Sequence, residues 1–130
     1  MSYNLTIIAA TFHRQLADEM IEAATKQLAE QGANLAETIE VPGSYEIPLI
    51  AQQAIKAKKS DALIVLAYIE KGETLHGEVM WHVVHQSLIN LQLKHGIPMG
   101  LGIIGPGATE EQAKVRATPS AKHARRSEMP

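Results

Sequence analysis

A short polar turn, GETLH from Gly72 to His76, carries groups that could bind an anion and move a proton. Gly72, Glu73 and Thr74 precede a long helical pattern, so unpaired amide groups and the positive end of the helix dipole would face an anion there. His76 follows on the first turn of that helix, and imidazole is the side chain that exchanges protons near neutral pH. The alternative is that Thr74 merely caps the helix and His76 is one of six ordinary histidines.

This turn lies between two elements that would hold it at the edge of a sheet. ALIVLAY, from Ala62 to Tyr68, is a run of seven apolar residues, typical of a strand covered on both faces. The helical pattern after the turn extends from about Leu75 to His95. In open α/β sheets ligands bind beyond the carboxyl ends of the strands. We therefore expect the active site at this junction.

Strand and helix patterns alternate along the whole chain. Strands are predicted at Leu5–Ala10, Leu35–Val41, Ala62–Tyr68 and Met99–Ile104, and a last helix at Glu110–Ala117. Alternation of this kind predicts a three-layer α/β/α sandwich with a four-stranded parallel sheet in a flavodoxin-like order. In the second strand, Leu35, Ile39 and Val41 are expected on one face.

Residues with useful side chains follow several of these strands. Phe12 offers an aromatic face after the first strand, and Ser44, Tyr45 and Glu46 form a turn after the second. The loop Gly105–Thr109 follows the fourth. The chain has no cysteine, no GxSxG elbow and no GxGxxG after the first strand, so motifs for nucleophilic and dinucleotide chemistry are missing. We expect acid–base and positional chemistry.

Length and composition restrict the class of protein. With 130 residues the chain is expected to form a single domain over 1–117, followed by a polar tail, 118–130, that is expected to be flexible. A net charge of −2 provides no basic field for nucleic acid. No apolar run is long enough for a membrane span, and no signal peptide is visible, so we expect a cytoplasmic protein with neither nucleic acid nor membrane as a partner.

Three histidines on the long helix raise a metal site as an alternative. His82 and His85 are three residues apart, and His76 lies six residues before His82. His76 and His82 would point in different directions, and no carboxylate lies four residues after any of the three histidines. Packing in the core or against another subunit is the favoured interpretation of this helix, and its apolar stripe is Trp81, Val84 and Leu88.

Four short motifs, distributed between Thr11 and Ala117, match one family. They are Thr11-Phe12, VPGSYEIP at Val41–Pro48, GETLH at Gly72–His76 and EEQAKVRA at Glu110–Ala117. On these motifs the chain resembles the 6,7-dimethyl-8-ribityllumazine synthase family. The resemblance implies a condensation of 5-amino-6-(D-ribitylamino)uracil with 3,4-dihydroxy-2-butanone 4-phosphate in riboflavin biosynthesis. It also implies no metal, no organic cofactor, and a homopentamer whose active sites are shared between neighbours.

The resemblance implies a role for each site residue. Phe12 would stack on the pyrimidine, and His76 would move protons. The turn Ser44, Tyr45 and Glu46 would hold the ribityl chain, while the backbone around Tyr68, Ile69 and Glu70 would contact the uracil edge. Gly72, Glu73 and Thr74 would bind the phosphate, with Arg116 of a neighbouring subunit as counter-charge. Leu101 stands where a phenylalanine often lines the family's pocket.

The chain also departs from the family pattern. Lys71 replaces an arginine, and Gly77 replaces an aromatic residue. After Arg116, the segment ATPSAKHARRSEMP replaces a glycine-rich loop with a lysine and a C-terminal helix, so no residue is assigned to that lysine's role. Two alternatives therefore stay open: a non-catalytic paralogue that binds a lumazine or flavin and, less favoured, an archaeal-type riboflavin synthase, which would lack GETLH.

Overall fold

The computed structural model describes residues 3–69 and 76–104. Four strands alternate with three α-helices, and a short 3-10 turn at Ser44–Glu46 follows the second strand. The strands are β1 (Asn4–Ala10), β2 (Asn34–Val41), β3 (Ala62–Tyr68) and β4 (Met99–Ile104). The helices are α1 (Arg14–Glu30), α2 (Ile47–Ala57) and α3 (His76–His95).

The four strands form one parallel sheet in the order β2-β1-β3-β4. β1 and β3 are central, and their register runs from Leu5 beside Ala62 to Ala9 beside Leu66. β4 pairs along the other side of β3, with Tyr68 beside Ile104 at the carboxyl end. The predicted flavodoxin-like α/β sandwich is confirmed.

Apolar residues of the central strands alternate between two cores, one on each face of the sheet. On one face α1 buries a stripe at four-residue spacing, and this core comprises Ile7, Ala9, Leu16, Met20, Ala24, Leu28, Ile64, Leu66 and Tyr68. On the other face α2 and α3 cover a core that includes Ile8, Val65, Val84, Leu88 and Met99. Every residue of β3 is buried, as expected for a strand with helices on both faces.

The predicted face of β2 is wrong in part because the strand contains an irregularity. Leu5 pairs with Leu35, but the next residue of β1, Thr6, pairs with Glu37, so Ala36 is an extra residue in β2. An extra residue reverses which side chains face each way. Leu35 consequently packs on the α1 side, whereas Ile39 and Val41 pack on the α2 and α3 side.

An ion-pair network joins the start of α1 to the edge strand β2. The Arg14 guanidinium donates to both carboxylate oxygens of Glu40, at 2.7 and 3.0 Å, and also to Asp18 one turn along the helix. The hydrogen bonds from Arg14 hold the pKa of the Glu40 carboxyl below its ordinary value. This ion pair links the first residue of α1 to β2.

Two predicted segments lie outside the described residues: the helix Glu110–Ala117 and the tail 118–130. The division of the chain into a domain and a tail therefore stays a prediction. Within residues 3–69 and 76–104, no helix is both long enough and apolar enough to cross a membrane.

Replacing Glu40 by glutamine should lower stability at neutral pH but not in acid. The folded-state pKa of Glu40 is lowered by Arg14, so its stabilising contribution is present above the unfolded value of 4.5. This contribution to stability is lost as the pH falls through the lower pKa that Glu40 has in the folded state. Thermal unfolding midpoints should therefore differ between wild type and E40Q near neutral pH and converge in acid.

The effect should be modest because the ion pair is exposed to solvent. Glu37→Gln removes another exposed carboxylate of β2 and serves as the control. A constant difference between E40Q and wild type at every pH would contradict the role of the ion pair.

Candidate active site

The carboxyl ends of the four strands meet along one edge of the sheet. The amide and hydroxyl groups of Thr11 both donate to the carbonyl of Val41, at 2.8 and 3.2 Å, which ties the ends of β1 and β2 together. The amide of Ile69 donates to the carbonyl of Ile104 at 3.0 Å, which does the same for β3 and β4. Because α1 and α3 leave the neighbouring strands β1 and β3 on opposite faces, the topology predicts a crevice between these two strand ends.

Aromatic rings span that crevice from β1 to β3. Phe12 is 78% exposed, and its ring meets the His13 ring edge-on at a centroid distance of 5.2 Å. The other neighbour of His13 is Tyr68, whose ring lies 4.7 Å away and is buried in the core at the end of β3. Phe12 thus presents a flat apolar surface to solvent at the carboxyl edge of the sheet.

The turn after β2 has one buried and two exposed side chains. Ser44 is buried, whereas Tyr45 and Glu46 are exposed. The amide of Glu46 donates to the Gly43 carbonyl at 3.3 Å, and the Glu46 carboxylate folds back over Gly43. A Cβ atom placed on Gly43 would lie 3.4 Å from Glu46 Oε1, which is an ordinary van der Waals contact, so only a side chain larger than a methyl group would crowd the carboxylate. Pro48 lies in the first turn of α2 and ends this segment.

His76 is the first residue of α3, and the fold brings it to the turn after β2. Its ring centroid lies 6.1 Å from that of Tyr45, with the two planes at 78°. This edge-to-face arrangement is typical of a favourable aromatic pair. Two predicted site residues that are far apart in sequence are therefore neighbours, and an exposed imidazole lies beside an exposed phenol.

Other predicted residues occupy positions that limit what they can do. Tyr68 and Ile69 are buried, and the Ile69 amide is already used by the Ile104 carbonyl, so it cannot donate to a ligand. Leu101 pairs with Val65 three residues before the end of β4 and packs against the α2 and α3 core. At about 3.3 Å per residue, Leu101 lies roughly 10 Å from the strand end, so its strand does not bring it to this edge within one chain.

Five predicted site residues lie outside the described part of the chain: Glu70, Gly72, Glu73, Thr74 and Arg116. The loop Gly105–Thr109 lies outside it as well. Their roles stay predictions.

Two histidines of α3, His82 and His85, pack against the Trp81 ring. His85 stacks on the Trp81 ring at 4.0 Å, with its Nδ1 atom 2.8 Å from the Trp81 carbonyl oxygen, and His82 meets Trp81 edge-on. Val84 and Leu88 are fully buried in the core. Across residues 3–69 and 76–104, no group of three or more histidine, aspartate or glutamate side chains could hold a metal ion.

Comparison with known proteins decides the family. The profile described as 6,7-dimethyl-8-ribityllumazine synthase matches residues 2–129. The chain belongs to this family. Three similar proteins carry the same name. That from Metallosphaera sedula is 37% identical over 115 residues, which is 88% of this chain and 76% of the relative. The protein from Methanococcus maripaludis is 34% identical over 87% of this chain and 82% of the relative. The protein from Pyrobaculum arsenaticum is 30% identical over 92% of this chain and 80% of the relative.

Family membership confirms the resemblance, but sequence reasoning assigned no role to two residues beside the pocket. His13 contacts both Phe12 and Tyr68, and Arg14 holds Glu40. One signal was available for His13: it stands where a helix begins, a position that favours serine, threonine, aspartate or asparagine. Arg14 gave no comparable signal because Glu40 is 26 residues away in sequence.

Substitution of Gly43 should disturb the Glu46 carboxylate in proportion to side-chain size. Alanine would place its Cβ in ordinary contact with Oε1, and it should be tolerated. Valine adds two methyl groups beside the same oxygen and should displace the carboxylate. We expect G43V to fold but to bind a ribityl-bearing ligand more weakly than G43A, as measured by isothermal titration.

The backbone at Gly43 is extended, with φ of −140°, so neither substitution introduces backbone strain. Equal affinities for G43V and G43A would show that the position of the Glu46 carboxylate does not matter for binding.

Proposed function

We propose that this chain condenses 5-amino-6-(D-ribitylamino)uracil with 3,4-dihydroxy-2-butanone 4-phosphate to give 6,7-dimethyl-8-ribityllumazine, phosphate and water. The observation that carries this proposal is the meeting of His76 with the Ser44–Glu46 turn at the carboxyl edge of the sheet, 6.1 Å from Tyr45. Membership of a family named for this product supports it. Two of the four motifs that carry the resemblance, VPGSYEIP and GETLH, thus supply neighbouring residues of the proposed pocket.

The pyrimidine and its ribityl chain fit the exposed groups along this edge. Phe12 offers an exposed ring on which a planar heterocycle can stack, and such stacking is favourable in an offset arrangement. Glu46 offers a carboxylate that can accept hydrogen bonds from ribityl hydroxyls. We assign the buried Ser44 to the floor of the proposed pocket, and Tyr45, whose ring lies beside that of His76, to its wall.

His76 is the residue we assign to proton transfer. Imine formation, phosphate elimination, ring closure and dehydration each require a proton to move, and an imidazole can act as acid and as base near neutral pH. His76 is exposed at the start of α3, where it can reach both a ligand and solvent. Because the substrates bring their own amine nucleophile and phosphate leaving group, holding them in register supplies a large part of the acceleration.

The phosphate of the second substrate needs a positive partner. Arg14 lies near this edge, but its guanidinium is bonded to Glu40 and Asp18 and is neutralised by them. We therefore assign the counter-charge to Arg116 of a neighbouring chain, and the anion contacts to Gly72, Glu73 and Thr74. Both assignments rest on the family resemblance. Glu70 stays a proposed pocket residue on the same basis, and so does Leu101, but only for the pocket of a neighbouring chain, because its strand does not bring it to this edge within its own. The proposed reaction requires neither a metal nor an organic cofactor.

Assembly into a homopentamer completes the proposal. α3 has apolar side chains that the described part of its own chain leaves exposed, and another chain would cover them: Val79 is 51% exposed, Val83 47% and Leu93 80%. Family resemblance supplies the number five and the sharing of sites between neighbours. The absence of cysteine agrees with the proposed cytoplasmic location.

Incubation of the purified protein with both substrates should produce the lumazine chromophore. His76→Ala should slow its formation by about 10²-fold or less, since one proton-transfer group contributes that order while positioning is retained. His82→Ala, which removes an exposed imidazole from the same helix, is the control. An unchanged rate for H76A would contradict its role, and binding of the pyrimidine without any product would identify a non-catalytic paralogue.

Light scattering should give a mass near five times the 14.1 kDa of one chain. Val83→Asp should lower that mass, because a charge buried against a neighbour without a partner is unfavourable. Glu78→Gln, a change at an exposed position of the same helix, is the control for effects on α3 itself. A wild-type mass near 14.1 kDa would refute the pentamer and the shared site.

A further inference from the structure

The residue that precedes α1, His13, does not cap the helix as residues at that position usually do. His13 is the N-cap residue of α1, yet its side chain makes no capping hydrogen bond, and the first turn contains no acidic residue. Serine, threonine, aspartate or asparagine at this position would satisfy one of the free amide groups. A ring at the N-cap thus gives up a local gain in helix stability, which suggests that it serves another purpose.

The His13 ring is placed between an exposed ring and a buried one. Its centroid lies 5.2 Å from that of Phe12, with the planes at 82°, and 4.7 Å from that of Tyr68, with the planes at 60°. The Nε2 atom of His13 is buried. Since Tyr68 is part of the core at the end of β3, His13 connects the 78% exposed Phe12 to the rigid centre of the sheet.

An exposed phenylalanine needs such support if it is to act as a stacking surface. A solvent-exposed ring explores several rotamers, and fixing it when a ligand binds opposes binding. A neighbouring ring that favours one rotamer reduces that loss before the ligand arrives. The contact geometry of Phe12 with His13 is edge-to-face, which leaves the faces of the Phe12 ring available to a heterocycle.

We infer that His13 is a positioning residue that holds Phe12 as a preordered stacking surface for the planar heterocycle of the substrate. This inference rests on the proposed function, because it takes the pyrimidine as the molecule that stacks. His13 acts through Phe12, so its effect should be confined to the pyrimidine. Ring packing is the operative interaction, so a phenyl ring at position 13 should replace the imidazole.

Two substitutions at position 13 separate positioning from helix stability. His13→Ser removes the ring but supplies a hydroxyl that can cap α1, so the thermal unfolding midpoint should change little. His13→Phe keeps a ring but is as poor a cap as histidine. We expect H13S to raise KM for the pyrimidine about fivefold, the order associated with an aromatic pair, with KM for the butanone phosphate and kcat little changed. H13F should resemble wild type.

A double-mutant cycle with Phe12→Ala tests whether His13 acts through Phe12. In the F12A background there is no ring to hold, so adding H13S should raise KM for the pyrimidine no further. Equal effects of H13S in both backgrounds would overturn the inference, and so would a wild-type KM in H13S or failure of H13F to restore it.

If the proposed function is wrong, the binding and turnover results differ from those expected if only the role of His13 is wrong. Binding of 5-amino-6-(D-ribitylamino)uracil can be measured directly by isothermal titration calorimetry for wild type and the same variants. This measurement does not depend on turnover. Binding without product would refute the synthase and leave the cycle measurable in affinities. Neither binding nor product would overturn both the proposed function and the role of His13.

Discussion

Backbone pairing of β1 with β3 is the contact on which the other features of the molecule depend. These strands are central, parallel and buried, and they are neighbours in the sheet although a strand and two helices separate them in sequence. Their pairing directs α1 and α3 to opposite faces, so the crevice between the strand ends follows from topology. Phe12 and His13 at one strand end and Tyr68 at the other are held at fixed distances by this pairing.

Much of the fold could be predicted because burial leaves a strong trace in sequence. β3 is buried on both faces and consists entirely of apolar residues, so its limits in the structure are those predicted. The predicted carboxyl-terminal residue of β2, Val41, was also correct, but the predicted orientation of the side chains of β2 was wrong in part. A single extra residue, Ala36, changes the alternation, and neither an alanine nor its neighbours signal a bulge in the sequence.

The candidate site could be proposed from the sequence to the extent that its residues belong to contiguous motifs. The turn at Ser44–Glu46 and the imidazole of His76 were each found as local patterns, and the fold brings them together. Contacts between distant residues that belong to no motif were not predicted from the sequence. The ring contact of His13 with Tyr68 and the ion pair of Arg14 with Glu40 depend on where β1, β2 and β3 lie. Local rules are weakest where a residue is used against its usual preference, as at the N-cap of α1.

The irregularity in β2 has a consequence for how copies of this chain can meet. β2 is an edge strand of the described sheet, and an edge strand offers backbone groups with which another chain could pair. The extra residue at Ala36 interrupts the regular spacing of those groups, and the exposed carboxylate of Glu37 would repel its counterpart in a second copy of the same edge. This edge is therefore poorly suited to intermolecular β-sheet extension, which protects the protein from edge-to-edge aggregation and leaves helical surfaces for ordered association.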